Sequence, residues 1–239
     1  MTAGSQADTD KSAIRNAAAI IVLRDASTTP RVLMGQRGSS AAFMPKKFVF
    51  PGGAVDPEDA DITLARPLPD PCATRLSEDS DKDLNAALPV TAIRELWEET
   101  GLALGIPGTW AGTVPTDWQG YADTGCVPSA HALQFFFRAI TPPGRPRRFD
   151  ARFFVVDASE IIGDPDDFSA ACDELSHLQW IPLARAREFD LPFITEVVLA
   201  ELAAYARNPA PPASVPFFRN DDEESLFLRL RGLAPQADD

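Results

Sequence analysis

The chain has 239 residues, and 45% of them are hydrophobic, which allows a sizeable buried core and argues against global disorder. Its formal net charge of −13, from 35 acidic and 22 basic residues, disfavours broad binding to nucleic acids or anionic membranes. Three widely spaced cysteines without a CxxC pair argue against a disulfide framework, and two histidines are too few for a histidine-rich metal site.

The N-terminal residues 1–13 are polar, and we expect a disordered tail that lacks the apolar region of a signal peptide. No apolar run reaches the length of a membrane span, so a cytoplasmic protein is expected.

Short apolar segments in the first quarter of the chain predict strands. The β-branched run 17–23 predicts a buried strand, and 31–36 predicts its hairpin partner after a turn. The sequence FVFPGG predicts a short strand that ends in a tight turn at Gly52 and Gly53.

The rest of the chain mixes helical and strand patterns. An Asp-, Pro- and Ala-rich stretch from about 56 to 89 predicts an inserted loop with short helical pieces, and the helix that follows ends at Gly101, a suitable C-terminal cap. Strands are then predicted at 131–140, 148–156, 178–181 and 225–232, and helices near 184–189 and over 191–207. This mixture predicts an α+β fold, specifically an α/β/α sandwich, over 14–207 with a C-terminal extension at 208–239.

The sequence TAIRELWEETGL places three glutamates on one face of the predicted helix, because an α-helix turns about 100° per residue. These are Glu95, Glu98 and Glu99, and the opposite face carries Ile93, Leu96, Trp97 and Thr100. Like charges at such spacings destabilise a helix by a few tenths of a kcal/mol per pair. An ordinary acidic surface helix is one interpretation. A site where Mg²⁺ or Mn²⁺ lies over the acidic face is the other, because hard cations select oxygen ligands.

The wider pattern resembles the Nudix box, G-x5-E-x7-R-E-U-x-E-E-x-G-U, where U is a bulky aliphatic residue. The second half matches at every fixed position, from Arg94 to Leu102. The first half matches Gly53, followed six residues later by Asp59 where the pattern has Glu. The spacing departs from the pattern, because 34 residues separate Asp59 from Arg94 where the common box has seven. An insertion over about 60–89 accounts for the difference.

The resemblance implies a Nudix fold, in which a mixed sheet lies between helices and the box forms a catalytic loop–helix–loop. It also implies Mg²⁺- or Mn²⁺-dependent hydrolysis of a nucleoside diphosphate linked to another group. By matched position, Glu98 and Glu99 are metal ligands and Glu95 is a metal ligand or the general base. Asp59 is a further metal ligand, unless Glu58 replaces it. Arg94 is expected to hold a carboxylate in place.

Some members of the family place the general base in a later loop, and Glu174 is the candidate here, with Asp173 beside it. Plain loop acids are the alternative interpretation. The family also leaves a homodimer open.

A subgroup with an interrupted box, the coenzyme A diphosphatases, is similar in the segments FMP, VFPGG and RFDARFF. This similarity implies cleavage of CoA or acyl-CoA to 3′,5′-ADP and (acyl-)4′-phosphopantetheine. The 3′-phosphate of CoA favours cationic partners. Arg37, Lys46 and Arg148 are the candidates for substrate contacts, together with Gly52 and Gly53. A solvated basic turn is the alternative interpretation of the arginines at 145–148.

Two other functions stay open at this stage. The same chemistry could act on ADP-ribose, NADH, a dinucleoside polyphosphate or a damaged nucleotide. A Nudix-fold module that binds without cleaving is the other possibility, although such modules usually lose box glutamates and all three are present here. Calcium binding by an EF-hand-like loop at 79–90 is rejected, because Leu84 stands where that loop needs glycine.

Overall fold

The computed structural model of the chain describes residues 13–39, 44–81, 84–220 and 224–232. The predicted N-terminal tail therefore lies outside the described residues except for residue 13. Among the described residues, no helix has the length and apolar character that crossing a membrane would require.

The strands and helices follow the chain in a mixed order. The strands are β1 (Ile14–Arg24), β2 (Arg31–Arg37), β3 (Phe48–Val49), β4 (Gly52–Ala54), β5 (Ala103–Pro107), β6 (Cys126–Pro128), β7 (Gln134–Ile140), β8 (Arg148–Asp157), β9 (Ile161–Ile162), β10 (Leu175–Pro182), β11 (Val215–Asn220) and β12 (Ser225–Leu230). The α-helices are α1 (Cys72–Leu76), α2 (Leu84–Thr100), α3 (Gln119–Ala122) and α4 (Phe193–Tyr205). Short 3₁₀ turns lie at Pro57–Asp61, Thr116–Trp118, Ala158–Glu160 and Leu183–Glu188.

Strand β1 lies near the centre of the main sheet, whose order among the described strands is β10-β2-β1-β8-β7-β11-β12. It runs parallel to β8 along nearly its whole length. Its antiparallel pairing with β2 covers only the end of the strand, at Leu23 and Arg24, and β4 pairs with it at 17–19 instead. Strand β2 pairs with β3 and β10. The sheet therefore opens between β1 and β2, and β4 lies on the β1 side of that opening.

Both faces of the main sheet are covered, because alternate residues of β1 belong to different cores. Ile20 and Val22 pack in the cluster that contains Leu96 of α2, whereas Ile21 packs in the cluster that contains Leu202 of α4. The mixed sheet between helices confirms the predicted α+β fold. Strands β5, β6 and β9 form a separate small sheet.

Helix α2 is longer than the sequence predicted. It begins at Leu84 and includes Pro89, which we had placed at the end of the inserted loop. Its predicted end is confirmed: the amide of Gly101 donates to the carbonyl of Trp97 at 2.7 Å, and Gly101 has a φ of 73°. Trp97 is only half-buried, and its ring packs against Tyr121 at a centroid distance of 5.9 Å.

The insertion, which the sequence predicted as an inserted loop with short helical pieces, is packed against the body of the protein. In the part of the insertion that precedes α2, four apolar side chains are buried in the core that contains α2, namely Ile62, Leu68, Cys72 and Leu76. The segment 208–239, which we had set apart as an extension, contributes β11 and β12 to the main sheet, where β11 runs parallel to β7. Phe217 of β11 is fully buried.

Candidate active site

Gly52 and Gly53, which form the glycine turn at the start of β4, contact helix α2 beside the opening between β1 and β2. The amide of Gly52 donates to Oε2 of Glu99 at 2.7 Å. A Cβ atom added to Gly53 would lie 2.2 Å from Oε1 of Glu95, and one added to Gly52 would lie 2.6 Å from the carbonyl oxygen of Ala18. A side chain at Gly52 would collide with backbone, and one at Gly53 would force the Glu95 carboxylate or the turn to move. The two glycines therefore allow the backbone to lie directly against the carboxylates of the helix.

Arg94 is the shared cation of the site, and its side chain is 8% exposed. Its Nε donates to Oδ1 of Asp59 at 2.8 Å, and its Nη2 donates to Oδ2 of the same carboxylate at 3.1 Å. Its Nη1 lies 2.9 Å from oxygens of both Glu95 and Glu98. Burial opposes the charged guanidinium, but the hydrogen bonds with Asp59 and the three nearby negative charges raise the pKa of Arg94 above its usual value.

Asp59 anchors Arg94, and this corrects its prediction as a metal ligand. Both of its oxygens accept hydrogen bonds from Arg94, and Oδ2 also accepts from the hydroxyl of Thr91 at 2.7 Å and the amide of Asp56 at 3.0 Å. The residue is 2% exposed. Glu58 is exposed and takes no part in these bonds in the described structure, so it does not replace Asp59.

The three glutamates of α2 are more buried than a solvated acidic face would be. Burial raises the pKa of Glu95 to about 7, because one arginine shared among several acids does not offset the lost hydration. Burial and the neighbouring Glu95 charge raise the pKa of Glu99 well above its ordinary value. Burial also raises the pKa of Glu98, although its side chain is 34% exposed. Three neighbouring carboxyl groups whose pKa values are all raised are typical of a functional site.

The donor set fits a hard divalent cation, although no group of three His, Cys, Asp or Glu side chains within the described residues is arranged as a metal site. The three glutamates do not converge on one point because each is held by a different partner: Glu95 and Glu98 bond to Arg94, and Glu99 bonds to the amide of Gly52. The other oxygen of Glu99, Oε1, is buried without a hydrogen-bond partner in the described part of the chain. A buried carboxylate oxygen without a donor favours a cation as its partner. Glu95, Glu98 and Glu99 are therefore the side chains that could hold a metal.

Glu174 reaches the same site from the loop before β10. Its Oε1 accepts a hydrogen bond from Nη2 of Arg37 at 2.9 Å, and its charge contributes to the raised pKa values of Glu95 and Glu99. The loop is tied to the helix, because the amide of Cys172 donates to the carbonyl of Glu98 at 2.9 Å. The structure thus brings the later acid and Arg37 to the box glutamates.

A cavity of about 650 Å³ begins at these residues and extends over the face of the sheet that packs against α4. Its carboxylate end is lined by Gly52, Gly53, Glu95, Glu174 and Arg37. Three more arginines line it elsewhere, namely Arg15, Arg145 and Arg147. The cavity therefore joins acidic groups to a cationic region in a strongly acidic protein.

Two predicted substrate contacts lie elsewhere. Arg148 is 8% exposed and does not line the cavity; its Nε and Nη2 donate to the carbonyls of Thr141 at 3.1 Å and Asn220 at 3.2 Å, so it ties the sheet edge together. Lys46 is exposed at a φ of 63° and is also outside the cavity lining. Successive side chains alternate between the two faces of a sheet, so Arg148 points away from the face that its neighbour Arg147 borders.

Arg15 was missed by the sequence analysis, which began the first predicted strand at residue 17. It lies on β1 beside Phe149 of β8. The sequence did indicate its orientation, because Arg15 lies two residues before Ala17 and therefore shares a face with it if the strand is extended to residue 15. Only the parallel pairing with β8 brings that face to the cavity.

We compared the chain with family models, curated proteins and solved structures. No family model matches the chain. "Putative nudix hydrolase 7" of Caenorhabditis elegans is 29% identical over 179 residues, which cover 70% of this chain and 51% of that protein, so the chain spans about half the length of this curated relative.

Solved structures are similar as well. The crystal structure of a NUDIX hydrolase from Alicyclobacillus acidocaldarius has 29% identity and a TM-score of 0.62, and the match covers 82% of this chain and 94% of that one. The NUDIX domain of Shewanella oneidensis NrtR, solved in complex with ADP ribose, has 14% identity and a TM-score of 0.46 over 83% and 93% of the two chains, and is too distant to support an inference about this chain. The chain has the Nudix fold, and it is similar in sequence to a curated nudix hydrolase and to a solved NUDIX hydrolase.

Proposed function

We propose that this chain is a Mg²⁺- or Mn²⁺-dependent Nudix pyrophosphohydrolase. Its substrate is a nucleoside diphosphate linked to another group, and the substrate we favour is CoA or acyl-CoA. Cleavage of the diphosphate bond by water gives 3′,5′-ADP and (acyl-)4′-phosphopantetheine.

One observation carries the hydrolase proposal. A glycine turn lies within hydrogen-bonding distance of a helix that presents Glu95, Glu98 and Glu99, and the buried Arg94 fixes two of these acids. Burying these glutamates lowers the free energy of unfolding, because buried acids with raised pKa values destabilise the metal-free fold near neutral pH. A bound divalent cation would offset that cost, whereas an acidic helix with a purely structural role gains nothing from burying its glutamates.

Glu98 and Glu99 would hold the cation, and Glu95 would be either a third ligand or the general base. When bound, a divalent cation neutralises the negative charge of a diphosphate and lowers the pKa of a coordinated water. Arg94 holds Glu95 and Glu98 in place, and Asp59 fixes Arg94 in turn. The absence of side chains at Gly52 and Gly53 lets the turn lie directly against Glu95 and Glu99, at the end of the cavity where the diphosphate would bind.

Two carboxylates in the cavity can accept the proton of the attacking water. Glu95 has a pKa of about 7, which suits a general base near neutral pH. Glu174 lies in the same cavity and is held by Arg37. A separate comparison of Glu95→Gln and Glu174→Gln decides between them: the general base is the residue whose loss removes the acidic limb of the pH profile of kcat/KM.

The arginines favour CoA over substrates with only a diphosphate. The chain carries a formal net charge of −13, yet Arg15, Arg145 and Arg147 border one cavity. CoA carries a 3′-phosphate in addition to the diphosphate, and guanidinium groups are well suited to phosphate. The segment RFDARFF, which resembles the coenzyme A diphosphatases, forms most of β8 beside this cavity.

A substrate panel with Mg²⁺ and with Mn²⁺ tests the proposal: CoA, acetyl-CoA, a longer acyl-CoA, dephospho-CoA, ADP-ribose, NADH and a dinucleoside tetraphosphate, with products separated by chromatography. We expect 3′,5′-ADP from CoA esters and much slower cleavage of dephospho-CoA. Preferential cleavage of ADP-ribose or NADH would retain the hydrolase and reject CoA. Binding of these compounds without any cleavage would instead support a non-catalytic Nudix module. The homodimer and the cytoplasmic location stay predictions.

A further inference from the structure

A row of four alanines crosses the main sheet on the face that borders the cavity. Ala54 of β4 lies beside Ala17 of β1, Ala17 beside Ala151 of β8, and Ala151 beside Ala139 of β7. All four line the cavity. Adjacent strands are about 4.8 Å apart, so the row is about 14 Å long. It begins one residue after Gly53, at the carboxylate end, and continues to Phe218 of β11.

Larger side chains border this alanine row, so the row forms the floor of a groove. Phe149 and Phe153 stand two residues before and after Ala151 on β8, on the same face, and both line the cavity. Pro192 and Ile194, at the start of α4, line the cavity as well. We call the alanine row together with Phe149 and Phe153 the alanine groove. Its methyl floor and aromatic sides suit a flat ring, which gains from apolar contact and stacking.

The charges at the groove lie on the side of Phe149. Arg15 lies beside Phe149, and Arg145 and Arg147 lie in the turn that leads into β8. All three are exposed and line the cavity, and none of their side chains makes a hydrogen bond or ion pair with another residue in the described ranges.

The acids that line the same cavity have partners of their own. Asp56 lies 3.6 Å from Arg94, which also bonds to Glu95, and Glu174 bonds to Arg37. The arginines beside Phe149 are therefore the cations with free donors at this end of the groove.

A diphosphate positioned at Gly52, Gly53 and Glu95 leaves these arginines without a role, because the turn that carries Arg145 and Arg147 follows β7, three strands away from β4. The charge there calls for a second anionic group on the same ligand, displaced from the diphosphate by about the width of a nucleoside.

We propose that the alanine groove binds the nucleoside half of the substrate, with the base on the alanine row and a further phosphate on Arg15, Arg145 and Arg147. The inference rests on the proposed function for the position of the diphosphate. It assigns the ligand class as a nucleotide that carries a phosphate outside its diphosphate. The acyl or pantetheine part then lies outside the groove.

Binding of product-like nucleotides tests this assignment without turnover. Adenosine 3′,5′-bisphosphate and adenosine 5′-monophosphate are titrated calorimetrically into the full chain, with and without Mg²⁺. We expect the bisphosphate to bind about tenfold more tightly, because a charge-assisted contact to one phosphate contributes about that much. Arg145→Gln and Arg147→Gln should each reduce this ratio while leaving the affinity for the monophosphate nearly unchanged.

The groove itself is tested by filling it. Ala151→Leu should weaken binding of both nucleotides at least tenfold, and Ala139→Val, a smaller change at the next position of the row, should weaken both to a lesser extent. Arg185→Gln is the matched control, because Arg185 is an exposed arginine that pairs with Glu188 away from the cavity. Thermal melts establish that each variant is folded.

Equal binding of the two nucleotides by the wild type would overturn the inference, as would an unchanged ratio in both arginine variants. So would a folded Ala151→Leu protein that binds both nucleotides normally but no longer discriminates a long acyl-CoA from CoA, since the groove would then hold the acyl chain. These results are separable from the proposed function: the nucleotide pattern can hold in a protein that cleaves no CoA, and CoA can be cleaved by a protein without the pattern.

Discussion

Arg94 has more acidic neighbours than one cation can neutralise. Its three donor nitrogens contact carboxylates of Asp59, Glu95 and Glu98 at 2.8 to 3.1 Å. Glu99 is left outside this set and bonds to the amide of Gly52. The excess of buried negative charge lies on the residues that the proposed chemistry would use, and it has direct consequences for activity and for stability.

Glu98→Gln and Glu99→Gln are each expected to reduce turnover of the best substrate by orders of magnitude while the fold stays intact. A glutamine keeps the shape and can still accept the hydrogen bond from Gly52, but it loses the negative charge that a divalent cation requires. Initial rates and thermal melts measure both quantities. Glu58→Gln, an exposed acid of the same box, is the control. Wild-type rates in either test variant would contradict the assignment of these residues as metal ligands.

The metal-free protein is expected to lose stability as pH rises from about 5 to about 8. Because burial raises the pKa of Glu95 to about 7, from an ordinary value of 4.5, the folded state binds the proton more tightly than the unfolded state does. The stabilising contribution is therefore complete below the unfolded pKa and is lost as pH passes through the folded pKa.

Thermal melts of wild type and Glu95→Gln in a chelator measure this linkage. The Tm of the wild type should fall relative to that of the variant over this pH range, and Mg²⁺ should restore more of it at pH 8 than at pH 5. A constant difference in Tm between the two proteins across the range would show that Glu95 does not titrate as described.

At the scale of elements, the sequence predicted the parts whose signals are local. The acidic face of α2 and its end at Gly101 follow from helical periodicity and a glycine cap, and both are present. Strands β1, β2, β7 and β8 are at the predicted places because alternating or apolar runs report burial directly. Strand β11 was missed, since its sequence VPFFRN contains a proline and follows a Pro- and Ala-rich stretch.

The site shows the same division. The box residues could be identified from their spacing, and Glu174 and Arg37 from their places in the chain. The role of Asp59 could not, because its two oxygens are taken up by donors up to 35 residues away, on a helix beyond the insertion. The groove could not be predicted either, since Ala17, Ala139 and Ala151 become neighbours only through strand register.

The contact between the glycine turn and α2 predicts the effect of a single methyl group. Gly53→Ala would place a Cβ atom 2.2 Å from Oε1 of Glu95, so either the carboxylate or the turn must move. We expect at least a tenfold loss of kcat, measured at saturating metal, together with a modest fall in Tm. Gly38→Ala is the matched control, because a Cβ atom there meets nothing within 4 Å. Equal rates in the two variants would show that the turn does not position Glu95.

At the scale of the whole molecule, the insertion and the C-terminal strands support each other. Arg75 of α1 donates to the carbonyls of Pro212 and Ala213, and Oε2 of Glu78 accepts from the amides of Arg231 and Gly232 at 2.7 and 2.6 Å. These partners are more than 130 residues apart in sequence. Such contacts leave no periodic signal, which is why the sequence predicted only an inserted loop and a separate C-terminal extension.

Arg75→Ala is expected to destabilise the protein by about 1 to 3 kcal/mol, because it leaves two carbonyl oxygens without their charged donor and opens a buried site. Denaturant unfolding of the full chain measures the change. Arg66→Ala, an exposed arginine of the same insertion, should change stability by less than about 0.5 kcal/mol. Similar stabilities of the two variants would show that the insertion does not hold the C-terminal segment.

The central claim is that the acidic face of α2 binds a cation to cleave a diphosphate, and that the diphosphate belongs to CoA. The most direct measurement is chromatographic detection of 3′,5′-ADP released from CoA by the wild-type protein in Mg²⁺, beside Glu98→Gln and a chelator control. We expect release by the wild type alone, with 4′-phosphopantetheine in equal amount. A wild-type protein that binds CoA and Mg²⁺ but releases no product, or a variant that releases product at the wild-type rate, would contradict the account.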